Sequence, residues 1–167
     1  MDMLNFKPTF LGQCIIKYQV PLDIFVTINN VYEQNYNNLA PANQQLVGKI
    51  EKEHSLFYHG KDQTKMKNHN FLPKNVTDYF MQVFNHYLKF NAIRDYNTHL
   101  NSIWVNEMKQ HEYNPAHIHK GMLFTGLSSV MILKLPSTYG KEYSKEDVPQ
   151  NGRLQILGAA NGQFAKI

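Results

Sequence analysis

At 167 residues and 19.5 kDa the chain suits one domain with a real core, and 43% hydrophobic residues fit a folded protein. Its formal charge of +4 is almost all lysine, with Arg94 and Arg153 the only arginines, so base-reading guanidinium forks are scarce and no nucleic-acid interface is expected. The lone Cys14 excludes an internal disulfide and favours a reducing compartment, no run reaches the roughly 18 apolar residues of a membrane span, and MDMLNFKPTF lacks the order of a secretory leader.

FLGQCIIKYQV, residues 10–20, is rich in β-branched and aromatic side chains and stops at Pro21, which predicts a strand. Cys14 alternates there with Ile16 and Tyr18, the pattern of a small strand residue rather than a nucleophile. Pro21 suits a first helical turn, and LDIFVTINNVYEQ is expected to continue as a helix with Leu22, Phe25, Val26 and Asn29 on one face. NYNNLAP breaks that pattern, and a second short helix is expected around ANQQLVGKIEKE, residues 42–53. HSLFYHGKDQTKMKNHNFLP, residues 54–73, has no sustained period and predicts an exposed loop carrying His54, His59 and His69 at the surface.

The clearest helix is NVTDYFMQVFNHYLKF. Val76, Tyr79, Phe80, Val83, Phe84, Tyr87 and Leu88 fall at i, i+3, i+4, i+7, i+8, i+11 and i+12, an apolar stripe that demands a covering layer. Asn-Val-Thr at residues 75–77 is formally a glycosylation sequon, but at a helix start it reads better as a cap.

After residue 100 the texture becomes extended: NSIWVNEMK, PAHIHKGML, LSSVMILKLP and GRLQILG, separated by turn residues. Helices followed by strands predict an α+β single domain over 1–167, with residues 1–95 a strand plus helical support and 100–167 a sheet. Trp104, deep in an apolar strand, is expected in the core.

HEYNPAHIHKG places His117 and His119 two positions apart. On a strand, i and i+2 share a face about 7 Å apart, close enough for two imidazoles to converge on one ion. Pro115 fits a strand start and Gly121 a turn beyond it. The cupin pattern needs a Glu where Leu123 and Phe124 stand, and an amidohydrolase barrel needs about 250 residues, so neither fits.

The stretch SIWVNEMKQHEYNPAHIHKGMLFTGLSSVMILKLP, residues 102–136, resembles prolyl-hydroxylase-like members of the 2-oxoglutarate- and Fe(II)-dependent oxygenases found in phages and bacteria. The likeness rests on Trp104 and Asn106, then Pro115, His117 and His119, then Leu127, Ser128 and Pro136, and it extends through NGRLQILGAANGQFAKI. It implies that the N-terminal strand and helices pack on a double-stranded β-helix, or jelly roll. It implies Fe(II) held by His117 and His119 in a facial triad. Asn106 and Tyr113 would lie toward the 2-oxoglutarate. The reaction implied is hydroxylation of a small molecule or protein side chain, in the cytoplasm, or the host's cytoplasm for a phage protein.

Enzymes of this class mostly carry a carboxylate where His119 stands. Glu112 is the one nearby candidate to replace it, although a turn role suits it better. No histidine follows His119, and no arginine follows Arg153. The expectation is therefore a truncated or inactive oxygenase, with a partner chain along an open sheet edge as one way to complete it. The alternative is a non-catalytic structural or interaction protein keeping part of the fold.

Overall fold

The structure is a computed structural model that describes residues 4–11, 13–43, 48–59, 69–115, 117, 126–140, 152–157 and 164–166. In chain order the elements are β1 (Phe6–Leu11), β2 (Gln13–Tyr18), α1 (Leu22–Asn35), a 3-10 turn (Tyr36–Asn38), β3 (Lys52–Tyr58), β4 (His69–Asn70), α2 (Lys74–Phe90), β5 (Ser102–Glu107), β6 (Gln155–Leu157) and β7 (Phe164–Lys166). The class is α+β, and the described strands form antiparallel sheets in the orders β1-β2, β4-β3-β5 and β6-β7. The chain divides into two compact units, residues 1–4 with 19–127, and residues 5–18 with 128–167.

The first unit holds both helices and the three-stranded sheet. Pro21, in extended conformation, opens α1, its carbonyl accepting from the Phe25 N–H, with Asp23 in the first turn where the helix dipole favours a carboxylate. The expected face is displaced. Leu22 and Val26 are exposed, and the buried positions are Ile24 and Ile28. The series continues at the same spacing through Tyr32 and Tyr36, because an i, i+4 row, not the first apolar residue, decides which stripe meets the sheet.

In α2 the expected stripe appears: Val76, Tyr79, Val83 and Leu88 are buried, while Phe80, Phe84 and Tyr87 are half-buried. The cap reading of residues 75–77 is corrected, since Pro73 precedes the helix, no side chain caps it, and Asn75 lies within the first turn. The far end closes with Ala92 at φ 55°, the Ala92 N–H donating to Lys89 O and the Ile93 N–H to Leu88 O, the bond pair of a left-handed helix terminus.

The largest departure is β3. Residues 52–53 were expected in a helix and 54–58 in a loop, yet Lys52–Tyr58 is the central strand. Its ladder with β5 slips between Ser55 and Phe57, and Leu56, at the slip, is fully enclosed at 0% exposure. That irregularity breaks the two-residue alternation by which a strand is recognised. Leu39, Ile50 and Leu72 complete this core, and each fully buried aliphatic side chain contributes about 1.5–3 kcal/mol.

The second unit contains the β1-β2 hairpin, paired from Phe6↔Tyr18 to Leu11↔Gln13, and the short β6-β7 pair. The strand expected over residues 10–20 is found as β2, and its partner β1, which takes in Phe10 and Leu11, was not expected. Residues 126–140 carry no helix or strand, so LSSVMILKLP is not a strand among the described residues. A strand needs a second segment to complete its ladder, and β-forming composition does not supply one.

Candidate functional site

Directly paired residues of an antiparallel ladder project from the same face of the sheet. The β3-β5 register pairs Lys52 with Glu107, Glu53 with Asn106, His54 with Val105 and Ser55 with Trp104. One face therefore carries Lys52, His54, Val105 and Glu107. The second carries Glu53, Ser55, Trp104 and Asn106.

Helix α1 covers the first face through a polar network. The Tyr32 hydroxyl donates to Glu107 Oε1 at 2.8 Å, and the Tyr36 hydroxyl donates to Glu107 Oε2 at 3.4 Å. Since Tyr32 has one phenolic proton, the His54 Nδ1 only 3.0 Å from its oxygen must be the donor of that second bond. Lys52 Nζ donates to the Tyr36 hydroxyl and lies 4.9 Å from the centre of that ring. Burial and the adjoining Glu107 carboxylate push the Tyr32 hydroxyl far up, and the hydrogen bond to Tyr36 raises Lys52. With its donors and acceptors turned on one another, this network fastens helix to sheet. His54 is accordingly an interior tie, not the surface residue expected.

The second face is different in character. Asn106 is exposed, and Trp104 is 37% exposed, which corrects its expected place in the core. Among the described strands β5 lies at the sheet's edge, so its indole is partly wet while Glu53 and Ser55, on the central strand and the same face, are buried. His69, also expected at the surface, is half-buried, with Nε2 2.8 Å from Ser55 Oγ and its ring stacked on Tyr58. Glu53 is 5% exposed. Burial pushes that carboxyl up from its ordinary value.

Beyond β5 the chain turns through His111 at φ 69°, and the Glu112 carboxylate accepts from the Lys109 N–H at 2.7 Å and the Glu51 N–H at 3.0 Å. Those two backbone bonds hold it well below the usual carboxylate range. Each oxygen thus takes one backbone bond, from Lys109 in the turn and from Glu51 across it. Tyr113 exchanges backbone bonds with Lys49, 2.9 and 3.1 Å, while its side chain is exposed.

Gly48 makes that bridge possible. A Cβ there would collide with the Tyr113 carbonyl oxygen and come within 2.9 Å of Asn114 Cα and Pro115 Cδ.

Pro115 and His117 follow outside any strand, and His117 is exposed. Its Nδ1 is 2.7 Å from the Pro115 carbonyl oxygen. A carbonyl has no proton to give, so Nδ1 carries the hydrogen and Nε2 the lone pair. His119 lies outside the described residues, as does most of the strand expected to begin at His117. Among the described residues no group of three or more His, Cys, Asp or Glu side chains is placed to hold a metal.

Of the residues singled out in the sequence, the structure puts Asn106 exposed on β5, at the edge of the described sheet, and Tyr113 and His117 on the segment anchored at Gly48. Glu53 is not legible as a buried residue, because Lys52–Ser55 is polar at every position and its burial comes from the strand pairing. Comparison with protein-family models, curated proteins and solved structures gives no match to this chain. No helix among the described residues is long and apolar enough to cross a membrane.

Proposed function

We propose that the chain is a 2-oxoglutarate- and Fe(II)-dependent oxygenase of the prolyl-hydroxylase-like kind, with its C-terminal segments part of a double-stranded β-helix and His117 and His119 as iron ligands. The observation that carries this reading is the His117–Pro115 hydrogen bond. A histidine that ligates a metal through one nitrogen characteristically gives its other N–H to a carbonyl or carboxylate, which fixes tautomer and ring orientation. His117 is held in that state, with Nε2 as the ligating atom. Asn106, an exposed carboxamide, is suited to hydrogen-bond an oxygen-rich ligand, and the Tyr113 hydroxyl is accessible to do the same. When bound, the iron and 2-oxoglutarate would supply the oxidation that hydroxylates a small molecule or a protein side chain, with succinate and carbon dioxide as co-products.

This stretch of sequence offers His117 and His119 and no later histidine, so metal binding is the direct readout. Anaerobic titration with Fe(II) and 2-oxoglutarate is expected to produce the weak visible charge-transfer band of the chelate, and His117→Ala to abolish it. Absence of the band, with no difference between the two proteins, sinks the reading. It would favour a non-catalytic interaction protein, the second reading, which has its own support: Val130 and Ile132 are 65% and 54% exposed in a segment without helix or strand.

A further inference from the structure

The β3-β5 ladder ends with Tyr58 paired to Ser102, and the pairing runs on by one residue, since the His59 N–H donates to the Asn101 carbonyl at 2.7 Å. His99 precedes Asn101 by two positions, which makes it the diagonal neighbour of His59 on the same face of the ladder. The two imidazoles do meet: their ring centres are 6.4 Å apart, at an interplanar angle of 63°. Both side chains are exposed, and among the described residues neither ring makes a hydrogen bond. In this they differ from His54 and His69, which are tied to Tyr32 and Ser55. An edge contact between two wet imidazoles buries little area and stabilises little. What the pair does offer is two nitrogen lone pairs side by side.

With a metal–nitrogen bond of about 2.0–2.1 Å, an ion shared by two imidazoles lies about 3 Å from each ring centre, so a chelating pair has centres about 5–6 Å apart. The observed 6.4 Å is longer by a margin that rotation of the side chains closes, and exposed side chains rotate on the picosecond to nanosecond scale. The backbone bond from His59 to Asn101 already holds the two side-chain bases together, so an ion does not have to organise the chain in order to bind. Neutral imidazole suits zinc, nickel and copper, whereas magnesium and calcium require oxygen ligands. Two protein ligands are fewer than the four of a structural zinc site, so water fills the other positions and the ion exchanges.

We infer that His59 and His99 form an exchangeable surface site for a divalent late-transition-metal ion, joining the end of β3 to the segment that leads into β5. The site uses none of the residues assigned to iron or 2-oxoglutarate.

The test is calorimetric titration of Zn(II) into the full chain and into the variants His59→Ala, His99→Ala, the two combined, and His117→Ala. Each of the first two, at an exposed position, is expected to weaken one Zn(II) equivalent about tenfold or more, because the second ligand no longer binds within the same molecule. Combining them is expected to weaken it little further, one imidazole alone being a poor site. His117→Ala is expected to leave this equivalent in place. With Cu(II) as the probe, the nitrogen hyperfine pattern of the electron paramagnetic resonance spectrum is expected to show two equatorial imidazoles in the parent and one in either single variant. Unchanged Zn(II) affinity in both single variants, additive losses that mark two separate one-histidine sites, or loss of the equivalent in His117→Ala overturns the inference. An absent Fe(II)–2-oxoglutarate band with this equivalent retained sinks the iron reading alone and supports this one.

Discussion

Two glutamates, Glu53 on β3 and Glu112 in the turn after β5, illustrate how one side chain acquires opposite chemistry from its surroundings. Glu112 accepts two backbone N–H bonds and is held low, so it contributes stability above its ordinary value that is lost as the pH falls through the lowered one. Glu53 is raised by burial, and its sign is reversed. Between the ordinary carboxylate value, near 4.3, and the raised one, the folded chain keeps a proton that the unfolded chain has lost, so stability declines as the pH rises through that window and stays reduced above it. Glu53→Gln is therefore expected to be more stable than the parent at pH 7 and to lack its decline, as measured by urea unfolding across the pH range. A variant less stable at pH 7 would mean that the carboxylate has a favourable partner in the folded chain. His117 shows the same dependence on surroundings, because one carbonyl at 2.7 Å decides which ring nitrogen keeps a lone pair.

Among the elements, α1 and β3 are joined by groups rather than by apolar area alone. The row Ile24, Ile28, Tyr32 and Tyr36 begins apolar and ends in two hydroxyls aimed at Glu107 and His54, so the helix can lie on the sheet in only one rotation. The segment leading to His117 has a narrower support, the exchange of backbone bonds between Lys49 and Tyr113 over Gly48. Gly48→Ala would force a methyl group into the Tyr113–Pro115 backbone, which cannot swing aside as a flexible side chain can. It is expected to cost about 1–3 kcal/mol in urea unfolding and to speed amide exchange at Lys49 and Tyr113. An unchanged midpoint would show that this bridge does not anchor the segment.

For the whole molecule, the division into two compact units cuts across chain order, since residues 5–18 group with residues 128–167. Within the second of these units Val130, Ile132 and Leu135 remain exposed. Side chains in contact with water contribute little to folding, so Val130→Ser combined with Ile132→Ser is expected to shift stability by less than about 1 kcal/mol while lowering aggregation on concentration. A drop of many degrees in the melting temperature would mean that these residues are covered in solution.

Local information was sufficient wherever an element satisfies its backbone from its own residues. The 3.6-residue row from Val76 to Leu88 and Pro21 at a helix start were legible for this reason. The extended run at Ser102–Glu107 was legible for a different reason, its β-branched and large apolar residues standing between turn signals. A sheet offers no such closure. β3 became a strand because β5, some fifty residues later, completes its ladder, while LSSVMILKLP, of equally β-forming composition, has no ladder among the described residues. The same non-local pairing determined which face α1 covers, and so why Trp104 is wet, His54 is tied down and Glu53 is enclosed. A sequence carries the chemistry of each side chain, but its desolvation and partners arise only when distant segments meet, and those two quantities govern the candidate site.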